Sequence, residues 1–390
     1  MKKKTLITLT ALVALSAGAQ VKLSTWLNNM KLSGYGMTQY QYSSQEGAQA
    51  NSFNIRLLRL SLDGRIVNDF YWKAQLQLNG NTTTLGNSPR VVDLFAEWQK
   101  LECFRVKLGQ FKRPFTFENP MHPIDQGFMG NGQNIVKLAG FNDRSGAHSS
   151  NGRDLGLQIQ GDFLKNSAGR TLLHYQIGIF NGQGINTKDV DQQKDIIGGL
   201  WIKPLAGMRI GAFGWTGSYA RKGTWDVVDA NHQPVKTVNA EGKTVTLTQW
   251  GVRSLRQHRY ALSAEYTSDD WTFRSEYIHS TGYAFTQQYQ TPANATNANI
   301  DYNAGNKADG IYALAIAPVI KNRLHAKARY DMYRPSAEWN KAKTLYEVGI
   351  DYEFTRSLKL CGEYALVNDR SLPAGSNNYS IIDVQVDFRF

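Results

Sequence analysis

Apolar and polar residues alternate along much of this chain. In residues 382–390 every even-numbered residue is apolar and every odd-numbered residue is polar or charged. Residues 324–331 repeat this pattern, and residues 155–163 and 260–266 show a similar one. A period of two places the two sets on opposite faces of a β-strand, whereas a helix would mix them. The pattern therefore predicts strands that have one apolar and one polar face.

Sixteen segments of this kind lie along the chain. They begin near Lys31, Phe53, Phe70, Val91, Phe104, Asp154, Thr171, Asp195, Met208, Arg259, Trp271, Gly310, Arg323, Thr344, Ser357 and Tyr379. Their spacing leaves no room for a second domain, because each strand would add to one continuous wall.

The connections alternate between short turns and long loops. The long loops are residues 80–90, 113–153, 182–193, 217–257, 282–309, 334–342 and 368–378. Aromatic residues gather beside the short turns, as at 70–72 and 271–273. Outer-membrane barrels have short periplasmic turns, long outer loops and aromatic girdles. The pattern predicts an all-β fold, a closed transmembrane antiparallel β-barrel of about 16 strands.

The first residues have the features of a secretion signal. Three lysines at 2–4 precede an apolar stretch at 6–15, and the small residues at 17–19 fit the cleavage rule. The stretch is shorter than the roughly 20 residues that a membrane helix needs. We predict a signal peptide at 1–19 and one barrel domain at 20–390. Loss of the three lysines lowers the net charge from +12 to +9.

The chain has only two cysteines, Cys103 and Cys361. Two thiols on distant predicted strands argue against a disulfide framework and against a cysteine metal site. The sequence contains no nucleotide, haem or zinc motif, so no cofactor is expected. Its basic residues lie largely on loops of a secreted chain, so nucleic acid is not an expected partner.

A specific set of motifs lies between residues 53 and 182. It comprises RLLRLSLDGR at 56–65, NDF at 68–70, Asp93, Glu97, VKLGQFKRPF at 106–115, GRDLG at 152–156 and FNG at 180–182. These motifs resemble the phosphate-selective porin O and P family. The resemblance implies a sixteen-stranded, homotrimeric channel for anions in the outer membrane of a bacterial cell. Phe390 at the end of an alternating strand is similar to the assembly signal of such barrels.

The third loop, residues 113–153, begins where Pro114 ends strand pairing. Loops this long within a compact protein usually carry function. In sixteen-stranded porins the third outer loop commonly folds into the bore, and apolar residues such as Phe115 and Phe128 suit packing on the wall. We expect this loop to fold inward and narrow the channel. The alternative is an exposed surface loop.

Basic residues on the inward faces and in the third loop are the candidates for contact with anions. They are Arg59, Arg65, Lys73, Arg105, Lys107, Lys112, Arg113, Arg144 and Arg153. Rings of Arg and Lys select anions, and Arg matches the geometry of phosphate. Inward carboxylates such as Asp93, Glu97 and Asp162 nearly balance them, so many of these charges are expected to pair. Small anions such as phosphate are the expected solutes.

Basic residues also occur in the predicted outer loops. They include Arg221, Lys222, Lys236, Lys243, Arg253 and Arg256. Positive charge at the outer surface suits contact with the phosphates of outer-membrane lipids. These lipids are therefore a second expected partner.

Two other functional classes stay open. A non-conducting binding or adhesion barrel would use the long polar loops at 217–257 and 282–309. The string HSSNG at 148–152 resembles outer-membrane phospholipase A, with Ser150 as nucleophile and Asp162 to orient His148. The same string runs into the porin match, so no catalytic residue is assigned and the chain is not expected to be an enzyme.

Acidic residues gather at Asp189, Asp191 and Asp195. They offer the oxygen ligands that Ca²⁺ takes. Such runs are more often solvated loop tips, and no metal is assigned.

Overall fold

The computed structural model describes residues 30–79, 87–140, 150–286 and 298–390. Within these ranges sixteen strands form one closed barrel. They are β1 (Met30–Ser43), β2 (Ala50–Val67), β3 (Phe70–Asn79), β4 (Asn87–Leu101), β5 (Phe104–Lys112), β6 (Arg153–Lys165), β7 (Thr171–Phe180), β8 (Asp195–Ile202), β9 (Met208–Asp226), β12 (Thr248–Ser268), β13 (Trp271–Thr281), β16 (Lys307–Ile320), β17 (Leu324–Arg334), β18 (Lys343–Thr355), β19 (Leu358–Asp369) and β20 (Asn378–Arg389).

Two further strand pairs lie outside the barrel, in the loops. They are β10 (Lys236–Val238) with β11 (Thr244–Thr246), and β14 (Ala284–Phe285) with β15 (Ile300–Asp301). The third loop contains the helix α1 (Gln133–Leu138) and a 3₁₀ turn at Pro123–Asp125, and a second 3₁₀ turn is at Trp339–Lys341. No helix of the described ranges is long and apolar enough to cross a membrane.

Each barrel strand pairs antiparallel with its neighbours, and β20 returns to pair with β1. The Phe390 N–H donates to the Gly34 carbonyl oxygen at 3.1 Å, and the Gly34 N–H donates back to the Phe390 carbonyl oxygen at 2.9 Å. Closure removes both free edges of the sheet, so every strand has two partners. The predicted sixteen-stranded closed barrel is confirmed.

Two glycines of β1 lie beneath aromatic rings of the closing strand. A Cβ atom at Gly34 would lie 2.5 Å from the Phe390 ring, and one at Gly36 would lie 2.1 Å from the Phe388 ring. Both distances are shorter than any tolerated contact, so the rings occupy the space that side chains at these positions would fill. We call this contact the terminal seam.

The predicted faces of the strands are also confirmed. Val384 and Val386 on β20 and Ile350 on β18 point outward and are exposed, Ile350 at 57%. Lys107 and Arg329 point inward, where they pair with carboxylates of neighbouring strands. The apolar outer face suits lipid, and the polar inner face suits a wet interior.

Fifteen predicted strand starts lie within four residues of the observed ones, and β12 is the exception. Residues 217–226 and 248–257 were expected to be loop, but they pair along β9 and β12 as a long outer hairpin. Lys222 and Arg256 point outward there, so neither face is uniformly apolar and the sequence pattern is weak. Arg221, expected in an exposed loop, is fully buried and lies over the Phe285 ring at 4.2 Å.

Both cysteines are free thiols; Cys103 is exposed and Cys361 is buried. The predicted signal peptide, residues 1–19, lies outside the described residues.

Candidate functional site in the barrel interior

The described part of the third loop, residues 113–140, lies inside the barrel. Its apolar side chains form one core with inward residues of β9, β13 and β16. The core includes Phe115, Phe117, Phe128, Ile135, Leu138, Phe213, Trp215, Ile278, Tyr312 and Leu314. Each fully buried side chain of this size contributes roughly 1.5–3 kcal/mol relative to exposure. The prediction that the loop folds inward is confirmed.

Glu276 of β13 holds the first part of the loop. Its carboxylate accepts hydrogen bonds from the backbone N–H of Phe117 at 3.1 Å and of Glu118 at 2.7 Å. Ser263 and Tyr312 of the wall donate to the same carboxylate at 2.9 and 3.0 Å. Glu276 is fully buried, so its two oxygens serve the loop and the wall and are shielded from solvent.

Two more carboxylates hold the later part of the loop. Glu363 of β19 accepts from the N–H of Met129 at 2.8 Å, and Asp331 of β17 accepts from the N–H of Gln133 at 2.9 Å. Hydrogen bonds to a charged acceptor are stronger than neutral ones, which makes these contacts effective anchors.

Cationic side chains on these and neighbouring strands donate hydrogen bonds to backbone carbonyl oxygens of the loop. Lys327 donates to the Gly127 carbonyl oxygen at 2.9 Å and also pairs with Asp351 and Glu363, each at 2.6 Å. Similar bonds link Arg274 to Gln126, Arg329 to Gly130 and Arg259 to Leu138. We call β12, β13 and β16–β20 the far wall, whose charges hold the loop in place.

The opposite side of the bore, formed by β3–β6, is different. We call it the near wall. Between it and the loop residues Pro120 and His122 lies a cavity of about 270 Å³. The other lining residues are Tyr71, Lys73, Asp93, Phe95, Glu97, Lys107, Phe111, Lys112 and Arg153. Among the described residues, four cationic side chains and two carboxylates line this near-wall cavity, and together they carry a formal charge of +2.

Two of the four cations are paired with the two carboxylates. Arg153 makes a bidentate pair with Asp93, at 2.6 and 3.1 Å, and both side chains are buried. Lys107 lies 3.7 Å from Glu97, a looser pair. The positive excess therefore comes from the remaining two lysines, Lys73 and Lys112.

Lys73 and Lys112 both contact the loop. Lys112 donates to the carbonyl oxygens of Asn119 and Met121, each at 2.7 Å. The Lys73 Nζ lies 3.4 Å from His122 Nε2, and since an ammonium only donates, Nε2 is the acceptor. Burial, helped by the two neighbouring lysines, lowers the pKa of His122 to about 4. His122 is therefore neutral at pH 7 and adds no charge to the cavity.

The structure brings together four of the predicted site residues: Lys73, Lys107, Lys112 and Arg153. The others lie elsewhere. Arg59 donates to Gln77 and Tyr35 and is 1% exposed. Arg65 donates to the Asn68 carbonyl at a short turn.

Arg105 and Arg113 also lie away from the cavity lining. Arg105 pairs with Asp162 at 2.6 Å. Arg113 was expected to approach the basic wall, but it pairs with Asp154 at 2.8 Å and lies over the Trp215 ring. Arg144 lies outside the described residues.

Several lining residues were not identified from the sequence as parts of a site. Tyr71 and Phe95 share the inward parity of Lys73 and Asp93, so strand alternation already places them in the bore. Tyr71 was assigned only to an interface girdle, and Phe95 was not assigned a role. His122 carried no such signal, because its position depends on the path of the loop.

The phospholipase-like reading meets a geometric obstacle. Asp162 hydrogen-bonds Arg105, His174 and Lys203. It is eight residues along β6 from Asp154, which is roughly 26 Å at the rise of a strand. It therefore does not orient a histidine beside Ser150, which contacts Arg113 at 3.2 Å. His148 lies outside the described residues.

The acidic residues near β8 bind protein groups. Asp195 accepts from Trp215 Nε1 at 2.7 Å, and Asp191 accepts from the hydroxyls of Ser218 and Ser254 at 2.9 and 2.7 Å. Among the described residues no group of three or more His, Cys, Asp or Glu is arranged to hold a metal.

Comparison with known proteins agrees with this architecture. Residues 33–169 match the model of the family described as phosphate-selective porin O and P. This confirms, over those residues, the resemblance that the motifs indicated. No curated protein matches the chain.

Solved structures share the barrel over nearly the whole chain. Salmonella typhi OmpF, in complex with daunomycin, has a TM-score of 0.59 at 12% identity over 93% of this chain and 98% of its own. Acinetobacter baumannii DcaP, an outer membrane channel, has a TM-score of 0.54 at 10% identity over 93% of this chain and 97% of its own. In-vitro folded OmpT of Vibrio cholerae has a TM-score of 0.55 at 12% identity over 93% of this chain and 97% of its own. At these identities the likeness establishes the fold.

Proposed function

We propose that this chain, a porin of the bacterial outer membrane, is a diffusion channel that passes small anions, phosphate among them, in preference to cations. Its porin nature rests on the family match over residues 33–169 together with the closed sixteen-stranded barrel. The preference for anions rests on one observation, the excess of lysine charge around the near-wall cavity.

The position of this charge matters more than the total. Charges of the far wall pair within the wall or bind the loop backbone, so their fields largely cancel at short range. Lys73 instead lines the space between the loop and the near wall, and Lys112 lines the same space although it also donates to two loop carbonyl oxygens. A charged cleft between low-dielectric walls concentrates its field and raises the local concentration of counter-ions. Anions that pass through this cavity would be favoured over cations.

Lysines suit a channel better than a tight binding site. Arg153 is the one arginine in the lining, and Asp93 already occupies its bidentate face. Contact with a passing phosphate would therefore come from lysine ammonium groups, which act as mobile point charges. Such contact attracts an anion and releases it again, as conduction requires.

Reversal potentials in a salt gradient across a planar bilayer test this proposal. We expect the wild type to prefer chloride over potassium, and a Lys73→Gln, Lys107→Gln, Lys112→Gln triple variant to lose much of that preference. The matched control is Lys222→Gln, Lys236→Gln, Lys243→Gln, which makes the same charge change on the outer hairpin. A cation-preferring wild type, or equal shifts in the two triple variants, would contradict the proposal. Absence of any conductance would favour the non-conducting binding barrel.

The proposal also covers the oligomeric state of the protein and its secretion. We propose a homotrimer surrounded by outer-membrane lipids, with residues 1–19 removed during secretion. Chemical crosslinking in the native membrane should give a ladder that ends at three subunits. The amino terminus of the mature protein should be Gln20.

A further inference from the structure

The near-wall cavity has an aromatic side as well as a charged one. Tyr71, Phe95 and Phe111 follow one another on β3, β4 and β5. The Tyr71 and Phe95 ring centroids are 6.1 Å apart, and those of Phe95 and Phe111 are 5.8 Å apart. Phe111 is buried, whereas Tyr71 and Phe95 are partly exposed to the cavity. Apolar rings that line a wet passage are unfavourable unless something covers them.

The backbone keeps the space beside these rings open. Gly109 faces the bore next to Phe95 and has a φ of +135°, which side chains rarely adopt. A Cβ atom there would lie 2.7 Å from the Phe95 Cα and 2.2 Å from the Leu94 carbonyl oxygen. A side chain is therefore excluded at the position that adjoins the Phe95 ring.

Positive charge lies directly beside the rings. The Lys107 Nζ is 5.0 Å from the Phe95 centroid and 5.3 Å from the Phe111 centroid. Lys73 is on the same strand as Tyr71, two residues away, and faces the same side. A ligand that carries a ring next to an anionic group can therefore contact aromatic wall and ammonium group together.

The volume of the cavity suits a small aromatic carboxylate better than inorganic phosphate. The cavity measures about 270 Å³. An inorganic phosphate leaves most of this space to water and gains nothing from the aromatic side. A small aromatic carboxylate replaces water on the rings and keeps its charge beside the lysines.

We infer that the near-wall cavity is a binding site for small aromatic carboxylates and holds them more tightly than inorganic phosphate. The inference rests on the proposed function, since the ligand must enter an anion-accepting channel. The ring packs on Tyr71 and Phe95, and the carboxylate lies against Lys73 or Lys107. Aromatic contacts add about 0.5–1.5 kcal/mol beyond buried area.

Block of the chloride current through single channels tests the site. The probes are benzoate, cyclohexanecarboxylate as a non-aromatic anion of similar size, benzyl alcohol as a neutral ring, and inorganic phosphate. We expect benzoate to block at the lowest concentration. Phe95→Leu should raise the half-blocking concentration of benzoate roughly three- to tenfold, the range that the aromatic contribution predicts. The half-blocking concentration of phosphate should not change in this variant.

Tyr346→Leu is the matched control, because it removes an aromatic ring from the outward face of β18, where Tyr346 is 55% exposed. Tyr71→Leu gives a second test of the ring if Phe95→Leu fails to fold, which heat-modifiable gel migration reports. Equal block by benzoate and phosphate, equal block by benzoate and cyclohexanecarboxylate, or an unchanged Phe95→Leu channel would overturn the site. If reversal potentials still favour anions in that case, the proposed function stands without it.

Discussion

The near and far walls contain the same kinds of charged residues but use them differently. On the far wall, Lys327 binds two carboxylates and a loop carbonyl and is almost completely buried. On the near wall, Lys73 has a histidine as its hydrogen-bonding neighbour and lines a cavity. An inward-facing lysine is therefore a structural anchor in one place and a source of local field in the other. The difference is that two carboxylates pair with Lys327, whereas Lys73 lies beside a neutral histidine.

The largest expected effect comes from removing the loop itself. Deletion of residues 120–139 takes away the segment that crosses the bore and leaves Glu363 and Asp331 without their backbone donors, whereas the two donors to Glu276 remain. Single-channel conductance should rise several-fold and anion preference should fall, because the near-wall cavity loses one side. The deletion should still give a heat-modifiable barrel, since the barrel strands pair without the loop. Unchanged conductance would show that ions pass by another route.

Lysine replacement on the two walls sharpens the comparison. Lys327→Gln leaves Asp351 and Glu363 buried without their cation, and breaking a buried pair costs about 3–5 kcal/mol. The urea midpoint of unfolding should fall clearly while the reversal potential changes little. Lys73→Gln is the counterpart and should shift the reversal potential with little change in the urea midpoint. The assignment would be contradicted if Lys327→Gln shifted the reversal potential without lowering the urea midpoint. It would also be contradicted if Lys73→Gln lowered the urea midpoint without shifting the reversal potential.

A smaller effect is expected from His122. Its folded pKa of about 4 lies below the ordinary value near 6.5, so the folded state favours the neutral ring. Loop docking should therefore weaken as the pH falls from about 6.5 to 4. Below about pH 4 the ring gains a proton and adds a positive charge to the cavity.

Anion preference should then increase at low pH, as measured by the reversal potential. Other groups of the protein also titrate in acid, so the His122→Gln variant is needed to isolate the histidine. It should show a smaller increase than the wild type. Identical pH profiles for the two proteins would exclude a contribution from His122.

The sequence predicts the wall of this protein far better than its interior. Strand parity alone placed Lys107 and Arg329 inside and Ile350 outside, because a strand that separates lipid from water must alternate at every step. In the outer hairpin of β9 and β12, Lys222 and Arg256 occupy outward positions in place of apolar residues. The alternation of apolar and polar residues therefore does not identify the strands there.

The interior depends on partners that lie far apart in the chain. Arg113 has the sequence context of a bore residue, but Asp154 binds it from 41 positions away. The role of Glu276 as a loop anchor depends on Phe117 and Glu118, 159 and 158 positions before it. Local periodicity has no information about such pairs, so it places a basic residue in the bore but does not identify the group that it binds.

The terminal seam has a consequence for how the barrel is built. Before closure the sheet has two open edges, each able to pair with any exposed strand, including that of another chain. A slip of two residues between β1 and β20 keeps every side chain on its proper face, so alternation alone does not prevent it. In one direction such a slip brings the Phe388 ring against Thr38, and in the other it brings the Phe390 ring against Leu32. The two glycines thus favour the register in which both rings of the closing strand lie over them.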